Sequence, residues 1–313
     1  MWGANMAEEL TPDICVIGGG PGGIAVAVNA ANSGVPVVLV EKGRMGGTNL
    51  ASGAVPSKAF IAAANYYETL RRGPAIGVTG APLQVNFGKV NEHIRSVVEA
   101  VAPNVSAERL TGLGVRVIAA VARFADRNTV IAGDMTIRAR RFVVATGSVP
   151  AVPDLPGLDG VDVMTVDAAF DVTRKPSHLL VLGADSRGLE LAQAYNRLGV
   201  DATVIDEDEV LAGEDPELVA PIVERLSLEG VRFRVGSKIT GFLRRRGGIR
   251  VTLLGAEGDA DGGITVDGSH LLVVKGRTPD FADLGLETAG ISCGPAGIVV
   301  DRQLRTTNRR VYA

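Results

Sequence analysis

One segment of this chain occurs twice, and this repeat constrains the fold more than any other feature. The first copy, residues 13–41, reads as an apolar strand, the motif GGGPGG, an alanine-rich helix ending near Gly34, a second apolar strand and a glutamate. The second copy, residues 179–206, has the same order around GADSRG, with Gly199 after the helix and a final aspartate. Because all corresponding positions are separated by one constant offset, the sequence predicts two copies of a strand–helix–strand unit.

Each position of the motif has a physical role in holding a dinucleotide. Gly18 permits the tight turn from strand to helix, Gly20 lets the backbone approach a pyrophosphate, and Gly23 allows the helix to pack closely on the strand. The helix N-terminus offers free N–H groups to the phosphates, and Glu41 is placed to accept hydrogen bonds from a ribose diol. The equivalent residues of the second copy are Gly183, Asp185, Gly188 and Asp206.

The second copy departs from the motif at its middle glycine, which is Asp185. One negative charge about 4 Å from a pyrophosphate costs roughly 4 kcal/mol at an effective dielectric constant near 20, or about a thousandfold in affinity. The aspartate could instead be an N-cap of the following helix, and Arg187 could offset its charge. The sequence therefore leaves binding of NAD by the second copy open. Asp206 favours NAD over NADP, because it would repel a 2′-phosphate.

Composition excludes several other classes of protein. The 313 residues carry a formal net charge of −3, so neither nucleic acid nor an anionic membrane is an expected partner. Two cysteines, Cys15 and Cys293, and three histidines predict no disulfide framework and no metal site. The N-terminus has no basic segment before an apolar one, and glycine and proline interrupt the apolar stretch 14–40. We therefore expect a cytoplasmic protein with no signal peptide and no membrane span.

Further motifs occur in a fixed order along the chain. They are GGGPGG at 18–23, GGT…VPSK at 46–58, FVVATGSVPAVPDLPGL at 142–158, LELAQAYNRLG at 189–199 and KGRTPD at 275–280. Together they resemble the pyridine nucleotide-disulfide oxidoreductases, in particular the branch of mercuric reductase and dihydrolipoamide dehydrogenase. The resemblance implies an α/β fold with two Rossmann-like dinucleotide-binding domains, the second inserted in the first. The implied FAD-binding domain covers 11–150 and 281–313, and the NAD(P)-binding-type domain covers 151–280.

The resemblance also implies roles for individual residues. FAD would be contacted by Gly18, Gly20, Gly23, Glu41, Gly47, Thr48, Ala145, Thr146 and Gly147. A nicotinamide dinucleotide would be contacted by Gly183, Gly188, Asp206 and Gly276, with Asp185 opposing it. Lys58 would lie near the flavin N5 atom and form an ion pair with Glu190, whose mostly apolar helix segment predicts a buried carboxylate in need of a partner.

The chain differs from the family at the redox centre. The positions that match the two redox cysteines are Asn49 and Ala54, and neither side chain can form a disulfide, a thiolate–flavin pair or a soft-metal site. Reduction of disulfides or mercuric ion by the family mechanism is therefore excluded, unless these residues were substituted deliberately. The Asn49 amide could instead hydrogen-bond a substrate carbonyl. In the second copy, Lys275 stands where the family usually has threonine.

The resemblance ends at Tyr312-Ala313, the last residues of the chain. In the family this pair precedes a Gly-Asp that holds the ribityl chain of FAD, and an interface domain that supplies the dimer contacts and a catalytic His–Glu pair. We therefore expect either a truncated protein or a sequence that contains only the ordered part of a longer one. Such a form would have a weakened FAD site and no family-type homodimer.

Three functions remain open from the sequence. The favoured one is an FAD-dependent oxidoreductase that takes hydride from NAD(P)H and passes it to a small-molecule acceptor other than a disulfide. The second is a catalytically inactive dinucleotide-binding or scaffolding relative of such an enzyme. The third is an engineered or truncated fragment of a disulfide oxidoreductase.

Overall fold

The chain forms two compact units. A computed structural model describes residues 8–254 and 263–313. Residues 1–7, where we expect no signal peptide, lie outside this part. The first unit consists of Met1–Ala51, Val98–Val149 and Thr278–Ala313, and the second of Ser52–Val97 and Pro150–Arg277.

The helices and strands of the described residues are numbered in chain order. The helices are α1 Pro21–Asn32, α2 Gly47–Ala51, α3 Ala54–Arg72, α4 Phe87–Val101, α5 Ala107–Gly112, α6 Ser186–Arg197 and α7 Pro216–Glu229. The strands up to the second repeat are β1 Glu8–Leu10, β2 Ile14–Ile17, β3 Val37–Glu41, β4 Val115–Ala119, β5 Ala122–Phe124, β6 Val130–Ala132, β7 Met135–Ile137, β8 Arg141–Val144, β9 Ser148–Pro150 and β10 Val163–Thr165. They continue with β11 His178–Leu182, β12 Asp201–Ile205, β13 Arg232–Arg234, β14 Ile239–Arg245, β15 Gly248–Leu253, β16 Ile264–Gly268, β17 His270–Val273, β18 Arg277–Pro279, β19 Cys293–Gly294, β20 Gly297–Ile298 and β21 Val311–Tyr312.

A parallel five-stranded sheet in the order β21-β8-β2-β3-β4 forms the centre of the first unit. Its central strand β2 is apolar along its whole length because both faces of the sheet are covered. Val16 and Leu39 pack on one face with side chains of α1 and α5. Cys15 and Val38 pack on the other face with the smaller sheet β1-β7-β6-β5. The first glycine motif therefore follows a buried central strand.

The second unit repeats this arrangement with a parallel sheet in the order β10-β17-β11-β12-β13. Leu179 and Val181 face a core built largely by α3 and α6. Leu180 and Leu182 face the antiparallel sheet β14-β15-β16. Alternate residues of one strand thus enter two different cores, as the period of a buried strand requires.

The internal repeat is the same structure in both units. Ile14 pairs with Val37 in the first sheet, and Leu179 pairs with Ala202 at the equivalent register in the second. Gly34 has φ of +73° and Gly199 has φ of +81°, so both follow their helix in the left-handed conformation that glycine adopts without strain. The predicted α/β class with two Rossmann-like domains is confirmed.

The segment 52–97 packs differently from our expectation. We assigned it to the first domain, but its residues belong to the second compact unit. Phe60 packs against Tyr195 of α6 with ring centroids 4.8 Å apart, and Ala64 lies in the same core. The apolar face of α3 shows that this helix must be buried, but the pattern does not show which sheet covers it. Residues 278–313 pack with the first unit, where β21 joins the parallel sheet beside β8.

Candidate functional site

The first glycine motif turns directly from β2 into α1. Gly18 has φ of +111°, and a Cβ atom there would lie 2.2 Å from the carbonyl oxygen of Ala145. A Cβ on Gly23 would lie 1.9 Å from the carbonyl oxygen of Gly18. Cβ atoms do not approach other atoms so closely. The protein's own packing therefore requires glycine at both positions.

Gly20 is glycine for a different reason. Its φ of −77° and ψ of −178° suit any residue, and a Cβ there would meet nothing within 4 Å. Gly20 is the N-cap of α1, but no side chain caps the helix, and Pro21 follows it. The folded chain alone thus explains neither the missing side chain nor the uncapped helix end. Open space and an uncapped helix N-terminus are both what a bound diphosphate requires.

The segment Gly46-Gly47-Thr48 lies directly on this motif. The N–H of Gly46 donates to the carbonyl oxygen of Gly19 at 2.8 Å. Gly47 has φ of +54°, and a Cβ on it would lie 2.8 Å from the Cα of Gly20. Thr48 follows in the first turn of α2. The structure therefore brings together the predicted pyrophosphate contacts of both motifs.

Glu41 ends β3 beside the motif, with its carboxylate held in place by the backbone. It accepts hydrogen bonds from the N–H of Gly19 and, at 2.7 Å, from the N–H of Gly43. A cavity of about 140 Å³ lies next to it, and Gly18 and Thr146 are also in its lining. The carboxylate is thus oriented before any ligand binds.

The rim of this cavity contains residues that sequence reasoning missed. The Asp280 carboxylate lies 2.7 Å from the ammonium group of Lys42, and its backbone N–H donates to the carbonyl oxygen of Gly147 at 3.0 Å. Residues 120–122 and Phe281 also line the cavity. The motif KGRTPD, which ends at Asp280, and the expected return of the chain to the first domain at residue 281 were the available signals for Asp280 and Phe281. No motif marked residues 120–122.

The second motif has the same backbone geometry as the first. A Cβ on Gly183 would lie 2.1 Å from the carbonyl oxygen of Val274, and a Cβ on Gly188 would lie 2.1 Å from that of Gly183. Val274 follows β17 in the way that Ala145 follows β8, and each strand lies next to the strand that leads into the motif. Residues 274–276 therefore stand in the place of residues 145–147, with Lys275 at the position of Thr146.

Asp185 is the N-cap of α6, one of the two roles we considered for it. Its carboxylate accepts the N–H of Gly188 at 2.8 Å. The Nε atom of Arg187 lies 4.0 Å from the second carboxylate oxygen, and both side chains are more than two-fifths exposed. An exposed pair at this distance offsets little of the negative charge.

Asp206 directly follows β12 at the position that Glu41 has in the first copy, but more groups engage it. The buried carboxylate accepts the N–H of Ala184 at 2.8 Å, the ammonium group of Lys275 at 2.7 Å and the N–H of Asp208 at 3.1 Å. Burial alone would raise the pKa of Asp206, but the hydrogen bond from Lys275 and those from the two backbone groups together hold it below its usual value. Asp206 is therefore charged at neutral pH and accepts three hydrogen bonds.

Lys58 and Glu190 lie close together within the second unit. The Lys58 Nζ atom is 3.9 Å from a Glu190 carboxylate oxygen, with the side chains 68% and 52% exposed. Our expectation of a buried Glu190 is wrong, because Leu189 and Leu191 occupy the buried face of α6 and Glu190 points outward. An exposed ion pair of this kind contributes little to stability.

The two positions that we expect to match the redox cysteines are both exposed. Asn49 lies in α2 of the first unit, and Ala54 begins α3 of the second. The two cysteines of the chain are free and lie elsewhere: Cys293 is exposed, and burial raises the pKa of Cys15 to about 12. In the described ranges no three or more His, Cys, Asp or Glu side chains are grouped so that they could hold a metal ion. None of the helices described is both long enough and apolar enough to span a bilayer.

Comparison with known proteins agrees with this geometry. The family model described as pyridine nucleotide-disulphide oxidoreductase matches residues 12–313. The chain is 35% identical to the mercuric reductase of Streptomyces lividans, over 96% of this chain and 64% of that protein. It is 34% identical to the dihydrolipoyl dehydrogenase of Geobacillus stearothermophilus, over 95% of this chain and 63% of that protein. It therefore spans slightly less than two thirds of the length of these relatives.

A solved structure shows the same fold. The HOCl-induced flavoprotein disulfide reductase RclA from Escherichia coli matches with a TM-score of 0.83 at 23% identity, over 96% of this chain and 65% of that chain. The family consists of FAD-dependent oxidoreductases that use NAD(P). Both the match over nearly the whole chain and the duplicated glycine motif support one conclusion: the chain belongs to the pyridine nucleotide-disulphide oxidoreductase family.

Proposed function

We propose that this chain binds FAD in its first unit and is an oxidoreductase that passes electrons to an acceptor other than a disulfide. The observation that carries the proposal is the contrast between the two helix N-termini. Asp185 caps α6 with its own carboxylate, whereas Gly20 leaves the equivalent end of α1 without a cap and with open space in front of it. A diphosphate would supply the missing negative charge at α1.

The residues of the first unit fit the cofactor. The backbone at Gly18, Gly20 and Gly23 would hold the diphosphate, and the Glu41 carboxylate, oriented by two N–H groups, would accept the ribose hydroxyls. Gly47 would keep the following loop close to the same phosphates. Bound FAD would supply the capacity to accept a hydride and to release electrons one or two at a time. We keep Thr48 and residues 145–147 as proposed neighbours of the cofactor.

The residues at the redox positions determine which acceptors are possible. Asn49 and Ala54 carry no thiol, so electrons cannot leave through a protein disulfide there. We propose a quinone, dioxygen or another small organic acceptor. Lys58 and Glu190 remain the proposed pair near the flavin N5 atom, supported by their 3.9 Å approach. A cytoplasmic location is also part of the proposal.

The electron donor has weaker structural support than the flavin. Members of the family use NAD(P)H, and Gly183, Gly188, Asp206 and Gly276 are the contacts we expected for it here. Asp185 lies at the centre of that set and opposes a diphosphate. The proposed binding of FAD therefore rests on the residues of the first unit and does not depend on nucleotide binding by the second.

Reconstitution with FAD tests the proposal. The purified chain is incubated with excess FAD, freed of unbound cofactor by gel filtration and measured by flavin absorbance. We expect about one FAD per chain, and a preparation that retains none contradicts the proposal. The bound flavin is then reduced photochemically, which requires no NAD(P)H, and mixed with a quinone, dioxygen or a small disulfide. We expect reoxidation by the quinone or by dioxygen and none by the disulfide.

A non-catalytic dinucleotide-binding relative is the second candidate. Asp185, together with the absence of a thiol at positions 49 and 54, favours it. The same experiment separates the two functions. A bound flavin that no acceptor reoxidises faster than free FAD supports the non-catalytic candidate.

A further inference from the structure

We infer that two side chains of the second unit, Asp185 and Lys275, close its nicotinamide-dinucleotide site, so that this chain does not recruit NAD(P)H there. The inference goes beyond the proposed function, which concerns the first unit. It rests on four observations within the second unit.

The first observation is that the phosphate position of the motif is already filled. Asp185 accepts the N–H of Gly188, which belongs to the first turn of α6, at 2.8 Å. A pyrophosphate at a motif of this kind uses the same N–H groups and the same positive end of the helix. A bound dinucleotide would therefore lose a partner and meet a like charge, which weakens its binding roughly a thousandfold.

The second observation is the path of the Lys275 side chain. In the order β17-β11-β12, β11 lies in the middle and leads into the glycine motif. Lys275 follows the end of β17, yet its ammonium group reaches Asp206 at the end of β12 at 2.7 Å. The side chain therefore crosses the carboxyl end of β11, the edge of the sheet where a ligand of this fold binds.

The third observation is that Asp206 has little capacity left for a ribose. One carboxylate oxygen accepts from Lys275 and from the N–H of Asp208, and the other accepts from the N–H of Ala184. Three of the roughly four acceptor positions of the carboxylate are thus occupied, so a ribose diol, which needs two, would have to displace Lys275 or a backbone N–H. In the first unit, two backbone N–H groups engage Glu41, and the position of Lys275 is taken by the shorter Thr146.

The fourth observation is that Lys275 offers no attraction for phosphates to compensate for this loss. Its ammonium group lies 2.7 Å from Asp206 and 3.8 Å from Asp208, so two carboxylates already balance its charge. A diphosphate therefore meets the charge of Asp185 without a free cation from this residue. It follows that a donor reducing the proposed flavin would not be held by the second unit.

Calorimetric titration of the full chain with NADH and with NADPH tests the inference. The proteins compared are the wild type, Asp185→Gly, Lys275→Thr and the double variant. We expect no saturable binding at micromolar nucleotide for the wild type, and a gain on the order of a thousandfold for the double variant with NADH. The Asp185→Gly variant should give most of the gain.

Two further variants separate the causes. Asp185→Asn keeps the shape of the cap without its charge, and should gain less than Asp185→Gly because the amide still fills the site. Lys238→Thr removes an exposed lysine of the same unit and should leave nucleotide binding unchanged. Glycine is well tolerated as an N-cap, so the Asp185 variants should fold, and circular dichroism checks this.

Two results would overturn the inference. One is saturable binding of either nucleotide to the wild type in the micromolar range. The other is a folded double variant that binds NADH no better than the wild type. The titration is independent of flavin, and flavin absorbance is recorded on the same samples. Failure of this inference is therefore distinguishable from failure of the proposed function.

Discussion

The Gly20→Asp substitution would place in the first motif the residue type that occupies the equivalent position, Asp185, in the second motif. The two positions have nearly the same backbone, with φ and ψ of −77° and −178° at Gly20 and of −76° and 173° at Asp185. The new carboxylate should therefore cap α1 as Asp185 caps α6, by accepting the N–H of Gly23. We expect FAD binding to be strongly weakened while the fold is kept.

The magnitude follows from Coulomb's law at an assumed spacing. Asp185 lies 2.8 Å from the backbone nitrogen that it caps, and we take about 4 Å between a carboxylate in that position and the nearest phosphate. At an effective dielectric constant near 20 the repulsion is roughly 4 kcal/mol, or about a thousandfold in the Kd for FAD. The folded chain itself should be unharmed, because a Cβ at Gly20 meets nothing within 4 Å. Aspartate is a better N-cap than glycine by only a few tenths of a kcal/mol.

Quenching of flavin fluorescence measures the affinity, and thermal unfolding without FAD measures the stability. Gly20→Asn is the matched control, since it has the shape of aspartate without the charge. The affinity difference between the Asp and Asn variants isolates the electrostatic part and should shrink as salt is added. If both variants fold and bind FAD as tightly as the wild type, no phosphate lies at Gly20 and the reasoning fails.

Three further predictions concern stability. Burial would raise the pKa of Glu229, but hydrogen bonds from neighbouring arginines hold it at about 2. The pKa of Glu229 in the folded state is therefore below its unfolded value near 4.5, so the ionised side chain stabilises the fold by about 3 kcal/mol at neutral pH. This stabilisation is lost as the pH falls from about 4.5 towards 2. In urea unfolding, the deficit of Glu229→Gln should accordingly be smaller at pH ~3 than at pH ~7; an equal deficit at both contradicts this. The Gly23→Ala substitution should lower the melting temperature markedly, because the new Cβ would lie 1.9 Å from the carbonyl oxygen of Gly18. The control Gly22→Ala should not lower it, because a Cβ there meets nothing within 4 Å. Equal melting temperatures of the two variants would show that α1 can shift to accommodate the methyl group. The Tyr195→Phe substitution removes the hydroxyl that donates to the buried carbonyl oxygen of Ala169 at 2.5 Å, and should lower the free energy of unfolding by about 1–2 kcal/mol. An unchanged free energy of unfolding would show that water replaces the hydroxyl.

Several site features were predictable because they depend on neighbouring residues in the chain. A cap forms between Asp185 and Gly188, and a glycine in the left-handed conformation ends a helix, within a few residues. The exposure of Glu190 was not predictable in this way. The segment around it is apolar on average, and only the packing of α6 shows that the apolar residues share one face while Glu190 points away from it.

By itself, the sequence determined the two strand–helix–strand units, the glycine positions and the absence of thiols at positions 49 and 54. Glycine conformation, capping and side-chain chemistry are local properties that the residue types carry with them. Only the tertiary structure decided that α3 packs with the second unit and that Lys275 reaches Asp206 across the end of β11. Such contacts join residues far apart in the chain, and the order of strands in a sheet determines which of them meet.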